Sequence, residues 1–225
     1  MNAQGKRSGE TAREYAYRMI REQVISLELK PGEAFNDMEF AAKIGVSRTP
    51  VREAVIQLSE ESRIIEIFPQ RGMRIALIDV ELVEEARSLR VLLEKQIAGM
   101  CCEMATEEDI KWLQENVGLQ EFYMENSRPE MVMQLDDEMH HKLFMICHRE
   151  LTYGMCQKLA IHYDRIRSLS VNTVKDHTVI EDHKKIIRFI AAHEKENAMA
   201  QMEKHLSRWQ LNEGKFRQKF PDYFK

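Results

Sequence analysis

The chain has 225 residues, 44% hydrophobic and 31% charged, with a formal net charge of -4, which allows one large domain or two small ones of ordinary globular composition. No run of about 18 apolar residues occurs, which excludes a membrane-spanning helix, and the opening MNAQGKRSGE lacks the apolar stretch of a secretory signal. Charge is uneven: residues 1–78 carry 12 Lys+Arg against 11 Asp+Glu, and the remainder 21 against 26, as expected of two domains with different partners.

Residues 1–9 are predicted to be a disordered tail. From Thr11 to about Leu27, Ala12, Tyr15, Ala16, Met19, Ile20 and Val24 recur at helical spacing. Pro31-Gly32 ends that stretch. Asn36 or Asp37 can cap a short second helix through Phe40, Ala41 and Ile44, which stops at Gly45. Ser47 is then expected to cap a third, with Pro50 tolerated in its first turn and Val51, Ala54, Val55 and Leu58 as its buried stripe. Ile64–Ile67 and Arg74–Leu77 flank Pro69-Gln70-Arg71-Gly72 and read as a hairpin. From Asp79 the pattern is helical: one long helix over 81–104, then 107–125, 129–148, 151–172, 178–194 and 196–216. Residues 219–225 are expected to be a tail. The predicted class is mainly α, a small α domain with a β hairpin at 10–78 and an all-α bundle at 79–218. The cysteines, Cys101, Cys102, Cys147 and Cys156, show no CxxC spacing and read as reduced thiols of a cytoplasmic protein.

The third helix opens with the first functional signal, GVSRTPVREAV. Arg48 and Arg52 are four apart and so neighbours on one face, beside the buried Val51/Val55 edge. An arginine fork matches guanine O6/N7 or a phosphate. This geometry suits a helix entering the major groove of double-stranded DNA at its N-terminal end. The bland alternative for two arginines alone is a pair of solvated side chains; helix, helix, helix and a basic hairpin in that order favour DNA binding.

GVSRTPVREAV resembles the recognition-helix signature of the GntR superfamily of bacterial transcription regulators. The likeness extends through PGEAFN, MEFAAKIG and the wing PQRG, and the helical second half resembles the FadR-like subfamily with its FCD ligand-binding domain. The resemblance implies a winged helix-turn-helix in which Arg48, Thr49, Arg52, Gln70, Arg71 and Gly72 face the operator. Two positions depart from the family pattern: Met38 stands where some relatives carry a phosphate-contacting arginine, and Glu61-Ser62-Arg63-Ile64 replaces a common Glu-Gly-Leu-Val.

The second signal is LDDEMHHKLF. Asp136 and His140, four apart, share a face with Val132, Leu143 and Cys147. His183 shares one with Ile186, Ile187 and Ile190, and His205 one with Ala198, Met202 and Trp209. Buried unpaired, such groups are costly; a lone inward histidine is by default a hydrogen-bonded core residue. His141 adjoins His140, so spacing alone does not choose the partner of Asp136. The resemblance does: an Asp-x3-His followed by two further histidines is similar to the metal-binding subset of FCD domains, which implies Asp136, His140, His183 and His205 as ligands. Imidazole with carboxylate suits zinc, and also nickel, manganese or iron(II). Open coordination positions would accept a small carboxylate effector. Arg90, in the family-like RVLLE, is a candidate to pair with that carboxylate, and Arg165 or Arg167, in DRIRSLS, is a second; otherwise each is a surface charge.

The leading expectation is an effector-controlled regulator, more often a repressor in this family, acting as a homodimer on a pseudo-palindromic operator and not as an enzyme. The alternative is a metal-dependent enzyme of small carboxylates using the Asp/His3 site, and a third reading is a metal that only stiffens the bundle.

Overall fold

The computed structural model describes residues 5–173, 177–208 and 213–225. The start of the predicted tail (1–4), Trp209 and the middle of the predicted helix 196–216 lie outside the described residues. The chain divides into two units, one running to Val80 and including Lys219–Lys225, the other Glu81–Gln218.

In the first unit, α1 (Ala12–Ile25) starts with a capping box: Glu14 N–H donates to Thr11 Oγ1 (3.2 Å), and Thr11 N–H donates to Glu14 Oε2 (2.8 Å). Its buried face is Tyr15, Ala16, Met19, Ile20 and Val24, as the spacing predicts. Asn36 rather than Asp37 caps α2 (Asp37–Ile44), accepting from the Met38 and Glu39 amides. Gly45 ends α2 at φ 74°, where a side chain would be strained. α3 (Arg48–Ser62) buries Val51, Ala54, Val55 and Leu58. Ser47 stands at its N-cap with extended backbone but makes no side-chain cap bond. The third helical residue, a usual donor to such a cap, is Pro50, which has no N–H.

The sheet has three strands, one more than the sequence reading held. β1 (Ala34–Phe35), β2 (Ile65–Phe68) and β3 (Gly72–Ile75) are ordered β1-β3-β2, all antiparallel, with Ile65 opposite Ile75 and Phe68 opposite Gly72. A two-residue strand is too short to show a period of two, so β1 is invisible to patterning. The turn between β2 and β3 closes through Arg71 N–H to Phe68 O at 3.0 Å. Residues 219–225 are no free tail. Ile78 N–H donates to Tyr223 O (2.7 Å), Lys225 N–H to Ile78 O (3.1 Å), and Lys225 Nζ to Asp79 Oδ2 (2.8 Å).

The second unit is a bundle of α4 (Val80–Met104), α5 (Glu107–Glu125), α6 (Pro129–Ile146), α7 (Glu150–Thr173), α8 (His177–Ala191), α9 (Lys195–Leu206) and α10 (Glu213–Lys219). α5 packs on α6 and α8, α8 on α9, and α6 on α7. Its core includes Ile97, Leu113, Met139, Leu143, Phe144, Ile186, Ile190 and Met202. The predicted helices 129–148 and 178–194 run a few residues too long. Both are followed by non-glycine residues in left-handed backbone, His148 (φ 54°) and His193 (φ 58°), which periodicity cannot reveal. All four cysteines are free and buried.

Arg63 ends α3 in left-handed backbone, φ 54°. An L side chain there costs roughly 1–2 kcal/mol, partly offset because glycine loses more entropy on folding. Arg63→Gly is therefore expected to stabilise the first unit by up to about 1 kcal/mol, read as a higher urea midpoint of the full chain. A lower midpoint would show that Arg63 makes contacts worth more than the strain.

Candidate functional site

In the first unit, Arg48, Thr49 and Arg52 are exposed at the start of α3, and Gln70, Arg71 and Gly72 are exposed at the turn of the hairpin. Arg48 is not a freely swinging charge. Its Nε lies 3.0 Å from Oδ2 of Asp37, a carboxylate with only 4% of its side chain exposed. This tie to α2 orients the fork beside Arg52. The hairpin is braced by Arg74, which pairs with Glu66 across the strands and lies 5.2 Å from the Phe68 ring. Met38, on α2, is exposed; it adds no charge to this face.

In the second unit, α6 supplies Asp136 and His140, α8 supplies His183 and α9 supplies His205. All four are buried, and one ligand atom of each lies within 4.8 Å of those of the others. Donor atoms about 2.1 Å from a common ion are at most about 4.2 Å apart, so the cluster is nearly closed around one centre. His183 Nε2 lies 3.2 Å from Asp136 Oδ1 and 3.3 Å from His205 Nε2, and His140 Nε2 lies 3.8 Å from Asp136 Oδ2.

Neighbours that the sequence reading did not single out aim these rings. The buried Gln120 of α5 presents Oε1 to His183 Nδ1 at 2.9 Å, while its amide group donates to Asn116 Oδ1 at 2.7 Å. His183 then carries its hydrogen on Nδ1 and turns a bare Nε2 to the cluster. Glu94 of α4 contacts His140 Nδ1 and accepts from Arg90 Nε at 2.6 Å. Glu94 is four residues past Arg90 in RVLLE, so helical spacing does signal it; nothing in the sequence signals Gln120.

The result is a cluster short of hydrogens. The bare His183 Nε2 faces a carboxylate oxygen, another acceptor. It also lies 3.3 Å from His205 Nε2, and His140 Nε2 has no hydrogen-bond partner among the described residues. A cation at the common centre satisfies these lone pairs together, so the residues fit a divalent metal.

Beside the cluster is a cavity of about 80 Å³. Arg90, Asp136, Arg167 and His205 line it with Arg208, and its walls include Met124, Val132, Ile166 and Leu206. Of the arginine candidates, Arg90 and Arg167 reach it. Arg165 is fully buried, is not among the lining residues, and is pushed down to about 10 by burial. Arg167 contacts Asp136 and lies 2.8 Å from Asp137 Oδ1 and 2.6 Å from Asp164 Oδ1. Arg208 contacts Asp182, with Nη2 2.8 Å from Oδ1.

Burial alone would raise the Asp136 carboxyl, but Arg167 and the neighbouring histidines outweigh it and hold the group well below its usual range. Burial pushes His183 down against the pull of Asp136, and it pushes His205 well down, helped by His183 and His140. In chelator-treated protein both rings stay neutral below the ordinary histidine value of 6.5, whereas the unfolded chain takes up protons there. Stability then rises with pH through that window. The melting temperature of the metal-free protein is expected to fall by several degrees from about pH 7.5 to about pH 5.5. Depressed carboxylates such as Asp136 add to the loss only at lower pH. A flat or opposite trend would contradict a buried neutral pair.

Residues 12–75 match the model described as bacterial regulatory proteins, gntR family, and residues 85–208 match the FCD domain. The chain is 27% identical over 209 residues to the HTH-type transcriptional repressor RspR of Escherichia coli, covering 92% of this chain and 91% of RspR. It is 31% identical over 126 residues to the Nta operon transcriptional regulator of Aminobacter aminovorans, covering 56% and 59%. The solved structure of E. coli McbR/YncC superposes with a TM-score of 0.75 at 19% identity, covering 93% of this chain and 99% of that one, which speaks for the fold. With a winged helix-turn-helix ahead of a helical bundle and both family models matched in that order, the chain belongs to the GntR family of bacterial transcription regulators, FadR-like, with an FCD domain.

Proposed function

We propose that this regulator is a cytoplasmic homodimer that represses by occupying a pseudo-palindromic operator, and that a small carboxylate bound at or beside a divalent metal controls it. The observation that carries the effector half is the four-ligand cluster beside an arginine-lined cavity. Asp136, His140, His183 and His205 would hold the metal, zinc first, with nickel, manganese and iron(II) fitting the same donors. When bound, it supplies a Lewis-acidic centre for a carboxylate oxygen. The reading as a metal-dependent enzyme falls away with family membership, which is that of regulators.

Arg48, Thr49 and Arg52 would read or grip the major groove, with Gln70, Arg71 and Gly72 at the wing. Repression is supported by the name of RspR. The dimer is supported by an apolar stripe on α7: Leu151 (88% exposed), Met155 (72%) and Leu159 stand at i, i+4 and i+8, and Leu92 of α4 is 68% exposed. Such a patch is what a partner surface covers. The cytoplasmic assignment is supported by four free cysteines; among the described residues no helix is long and apolar enough to cross a membrane.

Selection of bound duplexes from a random pool at near-physiological salt is expected to enrich a short inverted repeat, and enrichment of an unrepeated site or of none defeats the dimeric reading. On the selected duplex, Arg52→Ala should cost about 1–3 kcal/mol and relax one position per half-site if the fork meets a base. A uniform loss with a shallower salt dependence would instead make it a phosphate contact.

Glu94 offers a second test, of the metal. Glu94→Gln removes the charge that orients His140 and is expected to weaken zinc binding about 10–100-fold in chelator competition. Unchanged affinity would mean that His140 is not a ligand.

A further inference from the structure

Three arginines line the cavity, and each is held by carboxylates, but the holders differ. Arg90 is held by Glu94, 2.6 Å away, and Arg208 by Asp182. Neither holder belongs to the ligand cluster. Arg167 is held by Asp137, by Asp164 and by Asp136, and Asp136 is a member of the cluster. One carboxylate thus faces both Arg167 and the cluster: Asp136 Oδ2 contacts Arg167 Nη2, while Oδ1 lies 3.2 Å from His183 Nε2. Asp136 and His183 are buried and Arg167 nearly so, where charges are poorly screened, whereas Asp137 is half exposed.

We propose that Arg167 is the anion receptor of this cavity and that metal occupancy sets its availability. Asp136 holds the guanidinium in the metal-free protein. Once Asp136 is engaged by a divalent ion, Arg167 loses part of its counter-charge and stands close to a like charge. A carboxylate between the two relieves both, and the planar fork of Arg167 suits it. Binding of metal and anion is then mutually reinforcing, and the coupling is equal in both directions. At roughly 10–15 Å³ per water-sized site, the cavity of about 80 Å³ takes about five to eight non-hydrogen atoms, so the anion class is a small carboxylate. This inference rests on the reading of the cluster as a metal site.

The test uses full-length, metal-stripped protein, with Co²⁺ absorption reporting coordination and acetate as the carboxylate probe. Wild type is expected to bind acetate at least about tenfold more tightly with Co²⁺ than without, and to bind Co²⁺ more tightly by the same factor in saturating acetate. In Arg167→Gln, Co²⁺ alone should bind as tightly as in wild type or more tightly, because a competitor for Asp136 is gone. Acetate affinity of the loaded variant should drop about tenfold or more, and the coupling should shrink towards one. Arg167→Lys keeps the charge that Asp137 and Asp164 need, and it should show the same signs if the glutamine variant does not fold. A merely structural arginine would instead weaken Co²⁺ and acetate together. Coupling in either folded variant equal to that of wild type overturns the inference and leaves the metal site standing. Failure of wild type to bind Co²⁺ overturns both.

Discussion

Burying the Asp136 carboxylate among three imidazoles is costly unless positive charge meets it, and the rest of the helical unit is arranged around that need. Arg167 supplies charge, but a buried guanidinium has its own fork to satisfy, and Asp137 and Asp164 meet it. His140 is turned by Glu94, which in turn is matched by Arg90, whose guanidinium lies 5.4 Å from the Tyr163 ring. His183 is turned by Gln120, which is engaged with Asn116. Each helix from α4 to α9 thus contributes at least one polar side chain to a single buried network. An apolar bundle tolerates a slip of one helix past another; this one would leave a buried charge unpaired.

The same dependence explains what could be read in advance. The i, i+4 relation of Asp136 and His140 and the inward positions of His183 and His205 follow from helical periodicity, because an apolar stripe fixes which way a residue points. Of the ring-turning partners, Glu94 is signalled by its spacing from Arg90, but Gln120 is distinguished only by the histidine it meets from another helix. Arg165 and Arg167 show the limit most sharply. Two residues apart on α7, they face different surroundings, and only the packing of α6 decides that Arg167 meets Asp136 while Arg165 is enclosed. The helix pattern of the first unit was similarly open to reading, whereas β1, the uncapped Ser47 and the docking of Tyr223–Lys225 on Ile78 depend on backbone partners distant in sequence or on a missing N–H.

The two units solve opposite problems. The helical unit hides its charges and must pair each of them. The first unit displays Arg48 and Arg52, where water satisfies them, and it spends its specific interactions on direction instead. Gly45 sets the turn between α2 and α3, and Asp37 of α2, itself buried, holds Arg48 of α3. An arginine oriented before contact loses less freedom on binding than one that must be ordered, so the tie would favour affinity if Arg48 meets DNA as proposed.

For a small molecule to be heard at an operator, it must bind two arrangements of the bundle unequally; tight binding to both shifts nothing. The cluster is suited to that requirement because its ligands come from three helices. A ligand bridging Arg167 of α7 and a centre held by α6, α8 and α9 spans four of them at once. Its affinity therefore depends on the spacing of all four. A ligand held by α7 alone would be indifferent to that spacing, whereas an anion that used Arg167 and the proposed metal together would not be.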